Sequence, residues 1–362
     1  EGIERFSKAI QTRDFFTVTK TADSERLLPL PDGCYLVADT ENTLRQRMKS
    51  DEGYMRSYCK NRFYTGSDIA AKLWVGDYQN GDSFHDLAQN AGGIRRLAVL
   101  RADIDNLGQA FVSGFESEKH GQKYVTLSRT ATFSRKLALF FKLHVNTLLQ
   151  EGEYSLHVND EAGPRKATIV YSGGDDVFII GAWDDIIGFA VDLNDSLSDY
   201  AQGTLTISAG IGIYPEKYPV AAMARQTGEL EDASKAYPGK NAVTLFDESG
   251  TYSWDEFINA VLAEKYELIR DFFQTMQDCG KSFLYRLLDL MRSRDEKINL
   301  ARYAYLLARM EPGEKAPDES KKLYQDFSQK MYQWMLDEKA CKQAITALYI
   351  YVYTIRENAE GE

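Results

Sequence analysis

The sequence predicts an α+β protein in which a mixed, largely buried sheet precedes an all-helical region. Three observations carry this. Between about residues 95 and 247, apolar runs of strand length alternate with segments of helical period, in the order strand, helix, strand, strand, helix, strand. Two of those strands are bordered by carboxylates, Asp103 on one and Asp175-Asp176 on the other. Beyond about residue 252, apolar residues recur every three or four positions and strand signals stop.

Taken in order, residues 1–90 read as a small β-rich region. Phe15–Thr19 and Cys34–Ala38 have strand composition, and Leu27–Gly33, with Pro29 and Pro31, reads as a connecting loop. Gly66–Asp86, with Gly76 and Asn80-Gly81, reads as loops and short strands. Residues 91–250 form the second region. Arg96–Ala102 is apolar at nearly every position, which predicts a central strand. Glu116–Lys123 is expected to be a loop. Phe133, Leu137, Phe140, Phe141, His144 and Leu148 share one side of a helix over Thr130–Gln150. Ala167–Tyr171 and Asp176–Ile180 are the next strands. Asp184 is expected to cap a helix running to about Asp199. Thr204–Ala209, Pro219–Ala236 and Ala242–Phe246 complete the set as strand, helix and strand. The order βαββαβ with an added helix and strand is the ferredoxin-like arrangement, elaborated as in nucleotidyl cyclase and polymerase palms. It places the first strand beside the hairpin, so Asp103 is expected near Asp175 and Asp176. In residues 251–362, Ser253-Trp254-Asp255-Glu256 reads as a capping box. Four further helices are expected over Phe283–Met291, Leu300–Met310, the Leu323-Phe327-Met331-Met335 repeat and Lys342–Ile355. The tyrosines of the last helix suit packing or a protein interface, and this region is expected to be a docking module without catalytic residues.

Composition narrows the function. The chain has 362 residues, 44% of them hydrophobic, with 54 acids against 43 bases and a net charge of −11. That is a poor footprint for wrapping nucleic acid unaided. With a mean hydropathy of −0.41 and no run of spanning length, no membrane association is expected. Cys34, Cys59, Cys279 and Cys341 have no metal-ligand spacing and are expected as reduced thiols of a cytoplasmic protein. His85, His120, His144 and His157 form no hydrolase set.

The candidate chemistry lies at the strand ends. Glycine and aspartate also favour an ordinary hairpin turn. Against that, the flanking strands are too apolar for a surface hairpin, and adjacent like charges are better tolerated around a cation. Hard oxygen ligands point to Mg²⁺ or Mn²⁺. Asp103, Asp175 and Asp176 are the expected metal ligands and catalytic residues. Asp105 ranks below Asp103, because only the nearer acid meets the hairpin. The backbone at Ile104 could offer a carbonyl to the same ion. The N–H groups from Asp105 through Asn106 to Gly108 could hold phosphates. After Pro238-Gly239, Lys240 is a reasonable clamp for a terminal phosphate; Lys235 reads as part of a solvated turn that reaches the same group only if the helix end faces the site. The small residues Ser208–Gly212 indicate tight packing or room for a base. The expected reaction is metal-assisted nucleotidyl transfer from a triphosphate.

In combination, Leu97–Gly108 (LAVLRADIDNLG), Tyr171–Asp176 (YSGGDD), Ser208–Pro215 (SAGIGIYP) and Pro238–Asn241 (PGKN) resemble the second palm of the large signature subunit of type III CRISPR effector complexes. The flavour is that of the type III-A, or Csm, complex. The resemblance covers about 95–247 and extends loosely into the helical region. It implies conversion of ATP to cyclic oligoadenylates when target RNA is bound. It places Ser172, Gly173 and Gly174 at the nucleotide, Lys240 near its phosphates, and metal on Asp103, Asp175 and Asp176. It implies as partners the other Csm subunits, CRISPR RNA and target RNA through the assembled complex, and the amino-terminal half of the same subunit. The family's HD nuclease, first palm and zinc-binding cysteines have no counterpart in these residues. Residues 1–90 would correspond to the end of the linker between the palms. Two other readings stay open: a structural subunit with an inactive palm, and a stand-alone nucleotide cyclase. Phe111 stands where diguanylate cyclases place a guanine-reading Asn, which disfavours GTP.

Overall fold

The structure, a computed structural model, describes residues 2–22, 26–62, 70–116, 119, 121–157, 163–276 and 281–356. Cys279, His120 and the opening residues of the Gly66–Asp86 stretch therefore lie outside the described residues. The chain divides into two compact units. One comprises residues 1–77, 131–146 and 172–174; the other comprises 78–130, 147–171 and 175–362.

The first unit is built on five strands, β1 (Phe15–Thr19), β2 (Leu27–Pro29), β3 (Tyr35–Asp39), β4 (Tyr54–Lys60) and β5 (Ala71–Leu73), in the order β2-β3-β1-β4-β5. Alternation along β1 sends Phe16 to one core, with Phe6, Ala9 and Ala38, and Phe15 to another, with Leu44, Cys59 and Ala70. Two helices, α1 (Gly2–Thr12) and α2 (Glu41–Ser50), supply Phe6, Ala9 and Leu44; the strand-centred sequence reading did not anticipate them. The capping box at the start of α2 is made by Thr40 and Thr43. Part of the expected loop Leu27–Gly33 is the edge strand β2, where Pro29 is tolerated because an edge leaves N–H groups unpaired.

The second unit is centred on six strands: β6 (Leu97–Ile104), β7 (Ala167–Ser172), β8 (Asp176–Ala182), β9 (Ile207–Tyr214), β10 (Ala242–Leu245) and β11 (Thr251–Ser253). Their order is β11-β10-β9-β6-β8-β7. β6 is central, antiparallel to both β8 and β9, as the apolar run predicted. Before it comes α3 (Phe84–Gln89), whose Leu87 joins Leu97, Val99, Ile180, Tyr214 and Met223 in one core cluster; after it comes α4 (Leu107–Ser113). The helix expected over Thr130–Gln150 is divided into α5 (Leu127–Leu139), a π-helical turn (Phe140–His144) and α6 (Val145–Gln150), of which residues 131–146 belong to the first unit. Then follow α7 (Trp183–Tyr200) and α8 (Val220–Ala236), the crossover between the parallel strands β9 and β10. Gly210 lets α8 approach β9: a Cβ there would lie 2.4 Å from the Glu231 backbone N and 2.7 Å from the Thr227 carbonyl oxygen. Asp184 does not cap α7. Its carboxylate accepts from the Gly92 N–H at 2.9 Å and pairs with His157 at 2.8 Å, tying α7 to the entry of β6.

The carboxy-terminal region is largely helical. A π-helical stretch (Glu256–Tyr266) runs into α9 (Glu267–Thr275), followed by α10 (Lys281–Arg292), α11 (Lys297–Ala308), α12 (Asp318–Leu336) and α13 (Glu338–Ile355). The Ser253 hydroxyl does accept from the Glu256 N–H, at 3.2 Å, but Ser253 also ends β11, a strand the capping pattern concealed. Cys34, Cys59 and Cys341 are free thiols, and no helix of the described residues is long and apolar enough to cross a membrane.

Candidate functional site

Burial dictates where the polar residues of β6 can go. Leu97–Leu100 are buried, and the first carboxylate comes where the strand reaches the sheet's end, at Asp103, which is partly exposed. Asp103 lies opposite Asp176 on β8 and Ser208 on β9. Asp175 leads into β8, and its carbonyl accepts the Ile104 N–H at 3.2 Å, which holds the exit of the hairpin turn against β6. The two strand ends thereby gather Asp103, Asp175 and Asp176 around a cavity of about 450 Å³, whose wall also includes Tyr171, Glu231 and Lys235.

Two cations line this cavity, Arg101 and Lys235, and Lys235 is the one that meets Asp103. Its ammonium donates to Asp103 at 2.8 Å and to Glu231 at 2.7 Å, and Glu231 also receives Arg101 at 3.1 Å. Partial burial pulls the Lys235 pKa down, but the hydrogen bonds to Asp103 and Glu231 outweigh it, and the net direction is up. The Asp175 carboxyl is raised by burial and then by the charges of Asp103 and Asp176, with Lys235 opposing. The Tyr171 phenol is raised by its hydrogen bond to Asp176 and by that carboxylate's charge. Asp176 keeps one carboxylate oxygen, Oδ1, buried without a hydrogen-bond partner. A buried carboxylate oxygen without a donor suits a cation. Among the described residues, however, no group of three or more His, Cys, Asp or Glu is placed to hold a metal ion. The three carboxylates share a cavity without being drawn together as a ligand set, and Asp103 is already neutralised by Lys235.

The other expected site residues are distributed differently. Asp105 is buried: its carboxylate accepts from the Thr206 hydroxyl at 2.8 Å, the Ser208 hydroxyl at 2.7 Å and the Asn241 N–H at 3.0 Å. Its own N–H donates to the Thr206 carbonyl at 2.9 Å, and the Ile104 N–H is taken by Asp175. Asp105 thus offers neither carboxylate nor N–H to a phosphate; it fastens the ends of β6, β9 and the turn before β10. Asn106, at φ 53°, starts α4, so the phosphate-facing N–H groups reduce to those of the first turn, around Gly108. Lys240 donates to the Asn106 side chain at 2.9 Å within Gly239-Lys240-Asn241, three consecutive residues at positive φ. It is not part of the carboxylate cavity wall. Ser172, Gly173 and Gly174 group with the first unit, where the Ser172 hydroxyl donates to the Phe141 carbonyl; Gly173 is buried and Gly174 exposed.

Sequence reasoning set Lys235 aside as part of a solvated turn and did not single out Glu231, Arg101 or Tyr171. The signal for the first two was present: Glu231 and Lys235 are four apart on α8, the spacing of a helical ion pair.

Residues 96–244 match the family of the second palm domain of Cas10/Cmr2, and residues 270–357 match the second helical domain of the Cmr2 subunit of the CRISPR RNA silencing complex. A curated relative, the CRISPR system single-strand-specific deoxyribonuclease Cas10/Csm1 (subtype III-A) of Mycobacterium tuberculosis, is 46% identical over 337 residues, covering 91% of this chain and 40% of its own length. A crystal structure of Csm1 in T. onnurineus superposes with a TM-score of 0.71 at 22% identity, over 96% of this chain and 50% of that one. A crystal structure of a Csm1-Csm4 cassette in complex with cA4 gives a TM-score of 0.67 at 22% identity, over 96% and 49%. At this identity the solved structures speak to fold alone. The sheet is therefore a palm, joined to a largely helical domain. The chain belongs to the Cas10/Csm1 family, the large subunit of type III-A Csm CRISPR effector complexes, and carries that subunit's second palm and helical domain. It spans about two-fifths of the length of the curated relative it matches.

Proposed function

We propose that this chain is the nucleotide-holding half of a cyclic oligoadenylate synthase that works within a type III-A complex. The observation that carries the reading is the convergence of Asp103, Asp175 and Asp176 on one cavity, with a buried Asp176 oxygen lacking a donor. Asp103, Asp175 and Asp176 would hold Mg²⁺ or Mn²⁺. Such an ion, when bound, supplies charge neutralisation for a triphosphate and acidifies a ribose hydroxyl. The chain's own residues do the rest. Lys235 carries a positive charge into the cavity, within reach of a phosphate. Lys240 and the first turn of α4 offer further donors at the neighbouring strand end. Phe111 on α4 supports adenine over guanine.

A linking reaction needs a donor and an acceptor nucleotide, and these residues contain one palm. The amino-terminal half of the subunit, other Csm subunits, CRISPR RNA and target RNA are the proposed partners; the solved relative assembled with Csm4 supports the Csm-subunit part of this. Titration with ATP and Mn²⁺ is expected to show binding that disappears when Asp175 and Asp176 both become Ala, with ATP preferred to GTP. Across a protein concentration series, chromatography is expected to find little or no cyclic product from the chain alone, because proximity of two bound nucleotides carries much of such a rate. Strong synthesis at low concentration would place the acceptor site inside this sequence.

A second reading, a structural subunit whose palm does not turn over, is favoured by the Lys235–Asp103 ion pair and by the lack of an assembled metal group among the described residues. Metal-independent ATP binding, or none, would support it.

A further inference from the structure

Another cavity, of about 570 Å³, lies within the second unit between the chain leaving β10 and helices α10 and α13. It is remote from the carboxylates by register. Along β10, Val243 pairs with Ala209 and Leu245 with Ile211, and these lie opposite Ala102 and Leu100 of β6. The chain therefore enters this cavity heading away from Asp103.

Among the described residues, five buried side-chain polar atoms have no hydrogen-bond partner, and two of them belong to residues lining this one cavity: Arg294 Nη1 and Tyr349 Oη. Both can donate. Arg294 lies beside the Cys341 thiol, and both residues line the cavity. The Arg292 guanidinium lies 4.8 Å from the centroid of the Tyr349 ring, and the Lys342 ammonium lies 5.1 Å from that of Tyr252. Three acids, Asp247, Asp295 and Glu338, also line the cavity. The Asp247 carboxylate is already engaged by the Ser249 N–H at 2.8 Å and by its hydroxyl. Formal charges on the wall balance, so selectivity must come from directed donors rather than from a net field. Phe246 forms another part of the wall at φ 71°, a left-handed conformation that is costly for an aromatic residue. It is held between Tyr349 and Tyr353, with ring centroids 5.7 and 5.5 Å away.

Two unsatisfied donors backed by two further cations call for an acceptor with several oxygens. A carboxylate would use two of them; a phosphate can use all four. The volume lies in the range of small-molecule sites. We propose that this cavity binds a phosphate monoester, its phosphate on Arg294 and Tyr349 with Arg292 and Lys342 beside it, independently of the strand-end carboxylates. Free phosphate and a nucleoside monophosphate are two sources of that chemistry.

The test is calorimetric titration of the full chain with inorganic phosphate and, separately, with AMP, in EDTA so that no divalent ion serves the strand ends. One equivalent of at least one probe is expected to bind. Tighter binding of AMP identifies the nucleotide as the source; equal binding identifies phosphate. Arg294→Met is expected to weaken binding at least tenfold. Tyr349→Phe keeps the ring and its packing, removes only the hydroxyl, and is expected to weaken binding several-fold even if Arg294→Met fails to fold. The Asp175→Ala/Asp176→Ala chain is expected to bind as the unaltered chain does. Absence of binding of both probes at millimolar concentration would overturn the proposal and leave the cavity to water. Undiminished affinity in Tyr349→Phe and in any folded Arg294→Met chain, or loss in the Asp175→Ala/Asp176→Ala chain, would overturn it as well.

Discussion

Asp105 and Asp175 sit at the same strand-end junction, where the Asp175 carbonyl accepts the N–H of Ile104, yet their carboxylates have opposite surroundings. Asp105 meets three donors and a sealed interior, so its removal strands two hydroxyls and an N–H. Asp105→Ala is expected to lower stability by about 3 kcal/mol, read from the urea midpoint. Asp175 instead meets burial and two like charges, and its pKa is raised. Between the ordinary carboxylate value and that raised one, the native state holds more protons than the unfolded chain, so stability falls as pH rises through this window. Asp175→Asn is therefore expected to raise the melting temperature at pH 7, without divalent ions, by about a degree or two, while abolishing Mn²⁺-dependent ATP binding. A drop in melting temperature would contradict the like-charge account. That Asp103, Asp175 and Asp176 line one cavity was legible because the strand order sets the first strand beside the hairpin. The role of Asp105 was not, because its partners Thr206 and Ser208 lie about a hundred positions away and carry no local signature. Lys235 was read as solvated for a similar reason: the decisive neighbour, Asp103, belongs to another element.

At the scale of elements, the contact between α8 and β9 positions Lys235 over the carboxylates. That contact depends on Gly210, whose missing Cβ is replaced by backbone atoms of α8 that cannot rotate aside. Gly210→Ala is expected to cost about 2 kcal/mol or more, seen as a lowered denaturation midpoint, and to weaken ATP binding as α8 is pushed outward. β6, β8, β9 and α8 were readable from periodicity because each buries a long apolar face. The edge strands β2 and β11 escaped notice because three residues are too few to show a period. The π-helical turn at Phe140–His144 escaped because its side chains satisfy an ordinary helical pattern; only the backbone bonding differs.

For the molecule as a whole, the helical region was expected to be a docking module without catalytic residues. The structure groups it in the same compact unit as the palm sheet. Tyr252 lies in β11, the Trp254 indole donates to the Ile207 carbonyl at 2.8 Å, the Tyr266 hydroxyl to the Leu156 carbonyl at 2.7 Å, and the Ile94 N–H to the Tyr353 carbonyl at 2.9 Å. Truncation after Gly250 would remove an edge strand and expose buried aromatic surface. The truncated chain is expected to lose its cooperative melting transition and, with it, nucleotide binding. A folded, ATP-binding truncation would show that the palm stands alone after all. The long-range bonds responsible join residues whose sequence neighbours look like ordinary helix starts and strand ends, so the sequence carries no local sign of them.

The ammonium of Lys235 lies between Asp103 and Glu231. On the proposed function it would be a placeholder: a divalent ion taking the same Asp103 oxygen would displace it, and the displaced charge would then favour an incoming phosphate. Ion and triphosphate are coupled ligands on this account: each raises the affinity for the other by the same factor, as linkage requires. Without a triphosphate the ion should bind weakly, and without the ion the triphosphate should too. Lys235→Gln is expected to uncouple them, tightening Mn²⁺ alone and weakening ATP, so that two titration curves that normally shift together become independent.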